Sequence, residues 1–139
     1  MPLTNGDSSL SFKDFKWESD ELGYMDNAHP RFVRLTCEFK SQYFYANYRF
    51  SLTANEIASF ISGVEKVYKT LKGKSEIFDL ENHLKCSVSS NDQGQIEVSG
   101  HIGTFNPTNQ MLFEFITDQT FIPEFIKELK MELGQLKFA

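Results

Sequence analysis

The spacing of the apolar residues changes sharply near the middle of the chain. In "RFVRLTCEFK" (31–40), apolar side chains occupy every second position from Val33 to Phe39, which is the pattern of a strand with one buried face. From residue 53 onward, "TANEIASFISGVEKVYKTLKG" spaces its apolar residues for one face of a helix. A chain with this switch must combine sheet and helix, because each covers the apolar face of the other.

The helical segment carries signals at both of its ends. Thr53 and Glu56 have the spacing of a capping box, in which each side chain satisfies a free backbone amide of the first turn. Lysines crowd the other end, where the helix dipole favours cations, and Gly73 is placed to end the helix. The sequence therefore predicts a helix over 53–73.

Strand patterns lie on both sides of this helix, and helical spacing returns at 120–137. The segments with strand patterns are 10–18, 31–40, 41–52, 83–89, 95–103 and 110–117, while 75–81 is either a short strand or a connector. Within 10–18 the alternation slips by one position between Phe12 and Phe15, which predicts a bulged strand or two short strands. Residues 19–30 read as a loop or hairpin connection, and "TFNPTN" (104–109) as a second loop.

Short turns such as "NDQG" (91–94) make successive strands antiparallel neighbours. We expect an α+β fold: a curved antiparallel β-sheet of about six strands, with one helix inserted mid-chain and a C-terminal helix, both packed on the sheet. At 139 residues, 1–139 should form a single domain. Residues 1–8 are small and polar, and we expect them to be disordered.

Charge and cysteine content narrow the function classes. The net charge of −5 argues against binding to a nucleic-acid backbone, because such proteins present a basic surface. No apolar run reaches the length of a membrane span, and the N-terminus lacks a signal-peptide pattern, so we expect a soluble cytoplasmic protein. Cys37 and Cys86 fall on inward strand positions and should be buried thiols, although a disulfide between them stays open.

A search for catalytic or metal-binding motifs finds none. His29, His83 and His101 have no ligand spacing with one another or with either cysteine, so we predict no metal and no cofactor. The chain has no nucleophile elbow and no glycine-rich phosphate loop. Glu38, Glu97 and Glu114 could pair on outward strand faces, but a solvated sheet face is the commoner explanation for such residues. We therefore predict that the protein is not an enzyme.

Two surface features could serve recognition. Tyr43 and Tyr45 point outward from their strand, and tyrosine is enriched at binding surfaces because it offers a large rigid area with a polar tip. The alternative is that a loop covers them. The acidic run "ESDE" contributes Glu18, Asp20 and Glu21, which could contact a partner or could simply be solvated.

Three longer stretches together carry a family resemblance. They are "SLTANEIASFISGVEKV" after an aromatic strand, "DLENHLKCSVSSNDQGQIEVSGHI", and "LFEFITDQTFIPEFIKELK". Their order and spacing from about Phe32 to Leu136 resemble the WapI-type family of bacterial immunity proteins. The resemblance implies a small cytoplasmic, non-catalytic protein that binds and neutralises a polymorphic or contact-dependent toxin domain. Many such domains are basic nucleases, and the acidic net charge would suit a basic partner.

From this resemblance and the surface features, we predict a protein partner, possibly a basic toxin domain, and a chain that is a monomer or a homodimer. Neither nucleic acid nor membrane is expected to bind. The candidate partner-binding residues are Glu18, Asp20, Glu21, Tyr43 and Tyr45. The alternative hypothesis is a small-molecule-binding protein or minor enzyme with an aromatic-lined cavity between sheet and helices.

The last polar interruption, Thr117 to Thr120, separates a strand pattern from the final helical pattern. Asp118 and Gln119 could be a site, but Asp118 or Thr120 could equally cap the helix that follows. We interpret these residues as a strand-to-helix corner.

Overall fold

The computed structural model describes residues 2–18, 32–104 and 109–136. Within these ranges the chain forms two antiparallel sheets of four strands each, and two α-helices. The first sheet contains β1 (Leu3–Thr4), β2 (Ser9–Trp17), β3 (Phe32–Lys40) and β4 (Tyr45–Thr53), in that order. Helix α1 (Ala54–Thr70) leads to the second sheet, which contains β5 (Lys74–Phe78), β6 (Leu84–Ser90), β7 (Ile96–Thr104) and β8 (Asn109–Thr117). Helix α2 (Ile122–Gly134) closes the described chain.

The α+β class and the two helices are confirmed, whereas the single sheet of about six strands is corrected to two sheets. The chain passes through α1 between β4 and β5, so these two strands do not pair and each becomes an edge. Alternation of apolar residues reveals which face of a strand is buried, but both sheets bury an apolar face and the pattern is the same for one sheet or two. Segment 75–81, which the sequence left open between strand and connector, contributes all of strand β5 except its first residue, Lys74.

The N-terminal segment differs from the expectation of disorder. Leu3 is fully buried, and β1 pairs with the start of β2. The Thr117 hydroxyl donates a hydrogen bond of 2.6 Å to the Thr4 carbonyl oxygen. This contact joins the first sheet to the end of β8. Together with the buried Leu3, it attaches β1 to the rest of the fold, although the composition of residues 1–8 is typical of a disordered terminus.

The slip in the alternation of β2 is a β-bulge. The pairing with β3 shifts between Lys13 and Lys16, so that Asp14 and Phe15 together lie opposite Leu35. Asp14 has a positive φ of 60°, as expected for an inserted residue in a bulge. The bulge keeps the apolar residues on both sides of the slip facing the core.

The inward faces of both sheets and both helices contribute to one core cluster rich in phenylalanine. Phe12 lies edge-on to Phe50 and Phe60, with ring centroids 6.3 and 5.9 Å away. Phe39 of the first sheet stacks on Phe113 of the second at 4.9 Å. These ring contacts join the two sheets and the helices in the interior.

Helix α1 begins as predicted and packs very closely on β5. The Thr53 hydroxyl accepts a hydrogen bond of 3.2 Å from the backbone N–H of Glu56. The residue with left-handed backbone at the helix end is Leu71, two positions before the predicted Gly73. A β-carbon at Gly63 would overlap the Ser75 side chain, so any larger residue where the helix crosses β5 would force one of the two elements to shift.

The polar interruption before the last helix is a corner, as interpreted from the sequence. A carboxylate oxygen of Asp118 accepts a hydrogen bond of 2.9 Å from the Thr120 backbone N–H and caps a 3₁₀ turn, Gln119–Phe121. Helix α2 follows directly, with Pro123 in its first turn, where the missing N–H costs little.

Candidate binding surfaces

The outward face of the first sheet gathers cationic side chains in two adjacent rows. Strand register places Lys13 and Arg49 on either side of Thr36, and in the next row it places Lys16 beside Arg34. We call these four cations the basic rows. The rows lie about 7 Å apart, because they are two residues apart along β3 and β4. Lys16 and Arg49 are exposed and form no ion pair with any described residue.

Glu38 borders the basic rows on the side of the β3–β4 turn. Its carboxylate accepts hydrogen bonds from the Lys13 ammonium at 2.7 Å and the Tyr45 hydroxyl at 2.9 Å, and the Lys40 ammonium lies at 3.4 Å. The hydrogen bond from Lys13 is the main reason that the pKa of Glu38 falls below its ordinary value. Glu38 is therefore ionised and already neutralised by its neighbours.

Glu18 borders the basic rows at the opposite end. Its carboxylate accepts hydrogen bonds from the Arg34 guanidinium at 3.3 Å and from the Ser51 hydroxyl at 3.1 Å. Its backbone N–H donates to the Phe32 carbonyl oxygen at 2.9 Å. The side chain expected to offer negative charge to a partner is thus partly balanced by an arginine of its own sheet.

Three consecutive aromatic side chains are exposed where β3 turns into β4. Tyr43, Phe44 and Tyr45 are 79%, 64% and 56% exposed, and we call them the aromatic tip. The turn is closed by a hydrogen bond of 2.8 Å from the Ser41 N–H to the Phe44 carbonyl oxygen. The strand pattern placed Phe44 inward, but β4 begins only at Tyr45, so Phe44 belongs to the turn and faces solvent.

The candidate residues share one region only in part. Glu18 and Tyr45 both lie on the outward face, but the Ser51 that binds Glu18 is six residues along β4 from Tyr45, which is about 20 Å. Tyr43 lies in the turn, next to Tyr45. The other two candidates, Asp20 and Glu21, lie outside the described residues, as do His29, the predicted loop at 19–30 and residues 105–108 of the predicted loop at 104–109.

A second surface feature was missed by the sequence analysis. A cleft of about 560 Å³ opens between the edge strands β4 and β5 and the first turns of α1. Phe32, Phe78 and the 97%-exposed Leu80 contribute its most exposed apolar walls. One feature of the sequence could have indicated this cleft. Phe78 and Leu80 are apolar residues in segment 75–81, which the sequence pattern left open between strand and connector.

A polar cluster at the edge of this cleft connects the two sheets. One carboxylate oxygen of Asp79 accepts a hydrogen bond from the Tyr48 hydroxyl at 2.8 Å, and the other accepts from the backbone N–H groups of His83 and Leu84. Burial, with the hydrogen bond to Asp79, raises the pKa of Tyr48 well above its ordinary value. The phenol is therefore held protonated as a donor, which suits a structural link between the sheets and not a nucleophile.

The two cysteines of the described chain are not available for chemistry. Cys37 and Cys86 are buried free thiols, and burial raises the pKa of Cys37 to about 12. Such a thiol stays protonated and unreactive. Over residues 2–18, 32–104 and 109–136, no cluster of three histidine, cysteine or acidic side chains could hold a metal ion. None of the helices in these ranges has the length and apolar character needed to cross a membrane.

Comparison with known proteins gives one family and one fold. A model of the Immunity protein WapI-like family matches residues 5–137. No curated protein matches the chain. The solved structure of WHY1 from Arabidopsis thaliana is 12% identical, with a TM-score of 0.60, and the alignment covers 96% of this chain and 87% of that one.

Two further solved structures share this architecture. WHY3 from Arabidopsis thaliana is 12% identical with a TM-score of 0.56, over 96% of this chain and 85% of that one. The plant transcriptional regulator PBF-2 is 13% identical with a TM-score of 0.56, over 94% and 77%. At such low identity these similarities show the fold alone.

Proposed function

The chain belongs to the WapI-like immunity protein family, and from this membership we propose that it binds a cognate bacterial toxin domain and neutralises it without catalysis. The family match over residues 5–137 is the observation that carries the proposal. Immunity proteins act stoichiometrically, so the relevant property is a surface and not a reactive group. We place the complex in the cytoplasm of the cell that makes the toxin.

The arrangement of the described polar groups supports a binding role. The Asp79 carboxylate is occupied by donors from Tyr48 and the backbone, and the Cys37 thiol is buried and protonated. Neither is available as a base or nucleophile. The described surface instead has exposed polar and aromatic side chains that a protein partner could contact.

We propose that the toxin domain contacts the outward face of the first sheet together with the aromatic tip. This surface contains Glu18, Tyr43 and Tyr45 among the candidates from the sequence. Large aromatic side chains that become buried on binding account for much of the affinity of protein interfaces. Three exposed aromatic residues in one short turn are therefore the strongest candidates for anchoring a partner.

Co-expression tests the proposed function. The probe is the C-terminal domain of the toxin encoded beside the gene for this chain, expressed in a sensitive host with and without the chain. We expect growth to be restored and the two polypeptides to elute together as one complex. A domain that stays toxic and forms no complex would exclude it as the target and refute the proposed pairing.

A pair of matched variants tests the proposed face. Tyr43→Ala should weaken toxin binding by about 2 kcal/mol, as for an aromatic residue at the centre of an interface, with little effect on melting because the side chain is exposed. Leu80→Ala removes an apolar side chain of the cleft that is even more exposed than Tyr43, and it should leave binding unchanged. The opposite pattern would move the interface to the cleft.

The cleft favours a second candidate function, binding of a small apolar ligand. Its volume of about 560 Å³ lies within the range of about 300–1,000 Å³ that is typical of ligand sites. Its polar groups include Ser51, Asn55 and Ser59 beside the apolar walls. An apolar fluorescent dye, anilinonaphthalene sulfonate, should bind the folded protein and be released in Leu80→Asp if this candidate holds. Dye fluorescence that is the same for both proteins would remove it.

A further inference from the structure

We infer that the toxin domain presents an acidic surface to the basic rows of the first sheet, beside an apolar pocket that receives the aromatic tip. This inference rests on the proposed function. It differs from what the net charge of −5 suggests for the whole chain, which is a basic partner. The difference arises because charge is unevenly distributed over the described surface.

Cations outnumber acids on this face among the described residues. The cations are Lys13, Lys16, Arg34, Lys40 and Arg49, and the nearby acids are Asp14, Glu18 and Glu38. Glu38 is neutralised by Lys13 and Lys40, and Glu18 is paired with Arg34. Two of the three acids on this face are therefore already occupied, and the exposed Asp14 is the only one of these three without an ion pair to a described residue, which leaves little negative charge for a basic partner.

Lys16 and Arg49 are the two cations of this face that form no ion pair with a described residue. Lys16 on β2 lies directly opposite Arg34 on β3, and Arg49 on β4 lies one row away, opposite Thr36. Like charges directly opposite each other on neighbouring strands, as in Lys16 and Arg34, repel one another and destabilise the sheet. Carboxylates of a partner placed over β3 would relieve this repulsion, so the arrangement favours an acidic surface over a neutral or basic one.

The size of the face indicates that the aromatic tip must also be engaged. Three nine-residue strands span about 30 Å by 14 Å, or about 400 Å², which is half of the roughly 800 Å² that each partner buries in a standard interface. The aromatic tip adjoins this face through Tyr45, whose hydroxyl binds Glu38. Including the aromatic tip therefore enlarges the contact toward the usual size and supplies apolar anchors.

Charge reversal with a matched control tests the inference, with the toxin domain encoded beside the gene as probe. Lys16→Glu combined with Arg49→Glu should weaken binding about 100-fold, because it sets like charges against the partner. Lys66→Glu combined with Lys69→Glu changes the same number of charges on the exposed side of α1 and should leave binding within about 2-fold. Arg49→Gln removes one positive charge without reversing it, so it disturbs the fold less, and it should weaken binding by about 10-fold.

Each outcome has a definite meaning. If the wild-type chain does not bind the toxin domain, the proposed function fails, and this inference fails with it. If the wild-type chain binds and reversal of the basic rows has no more effect than the control, the inference alone is overturned. A single-stranded oligothymidine of about 20 nucleotides is the second probe. Tight binding that is lost on reversal would assign the face to nucleic acid and would also overturn the inference.

Discussion

Asp79 shows how a single buried carboxylate holds two parts of this fold together. It accepts the Tyr48 hydroxyl from the first sheet and two backbone N–H groups from the turn that leads into β6. Because β4 and β5 are both edge strands and do not pair, this contact replaces some of the cohesion that a continuous sheet would provide. The sequence revealed neither the partners nor the burial of Asp79, since both depend on how two distant edges approach.

We predict that Asp79→Ala lowers the free energy of unfolding by about 3 kcal/mol, because buried donors that lose their acceptor cost about 1–3 kcal/mol each. Tyr48→Phe removes only one hydrogen bond and should cost about 1 kcal/mol. Chemical denaturation of the two variants makes the comparison. If both variants lose the same small amount of unfolding free energy, the Asp79 carboxylate does not stabilise the turn that leads into β6.

The sequence offered Asp118 or Thr120 as the cap at the corner before α2, and the structure has Asp118 capping the 3₁₀ turn there. Asp118→Ala should lower stability by about 1 kcal/mol, typical of a lost cap, and should leave toxin binding unchanged. Asp118→Ser keeps a side-chain acceptor and should stay within a few tenths of a kcal/mol of the wild type. Thermal melting and binding assays on both variants test this. A large loss of binding with unchanged melting would make this corner part of the interface.

At the scale of elements, local periodicity predicted the helices, most of the strands and the slip in β2, which it left open between a bulge and two short strands. Each of these depends on the spacing of apolar residues along one segment, which is visible in the sequence. The division into two sheets was not predicted, because it depends on the direction that the chain takes from the end of α1 at Thr70 into β5. The close packing of α1 on β5 fixes that direction, and Gly63 is the residue that permits it.

We predict that Gly63→Ala lowers stability by about 1–2 kcal/mol. Alanine normally stabilises a helix by about 1 kcal/mol relative to glycine, but overpacking of a tight core contact costs about 1–3 kcal/mol. The new methyl would lie 2.7 Å from the Ser75 β-carbon, so one of the two elements must move.

Two further variants control this prediction in denaturant unfolding experiments. Gly134→Ala, at the end of α2, meets no atom within 4 Å and should be neutral or slightly stabilising. Ser75→Gly should recover part of the loss caused by Gly63→Ala by making room for the methyl. A stabilising effect of Gly63→Ala alone would mean that the contact is looser than the structure has it.

At the scale of the whole molecule, net charge was a poor guide to the candidate surface. The acidic total of −5 suggested a basic partner, yet the described outward face of the first sheet carries more cations than acids. The outward direction of Tyr45 could be read from alternation within one strand. The clustering of Lys16, Arg34 and Arg49 could not, because it depends on the register between three strands.

Lysine footprinting of the complex with the toxin domain tests the proposed interface most directly. Acetylation of each lysine is measured by mass spectrometry for the free chain and for the complex. We expect strong protection of Lys16 and Lys40 on the first sheet, with Lys66 and Lys69 on α1 labelled equally in both states. Protection of the α1 lysines with Lys16 still labelled would contradict the assignment of the first sheet as the binding face.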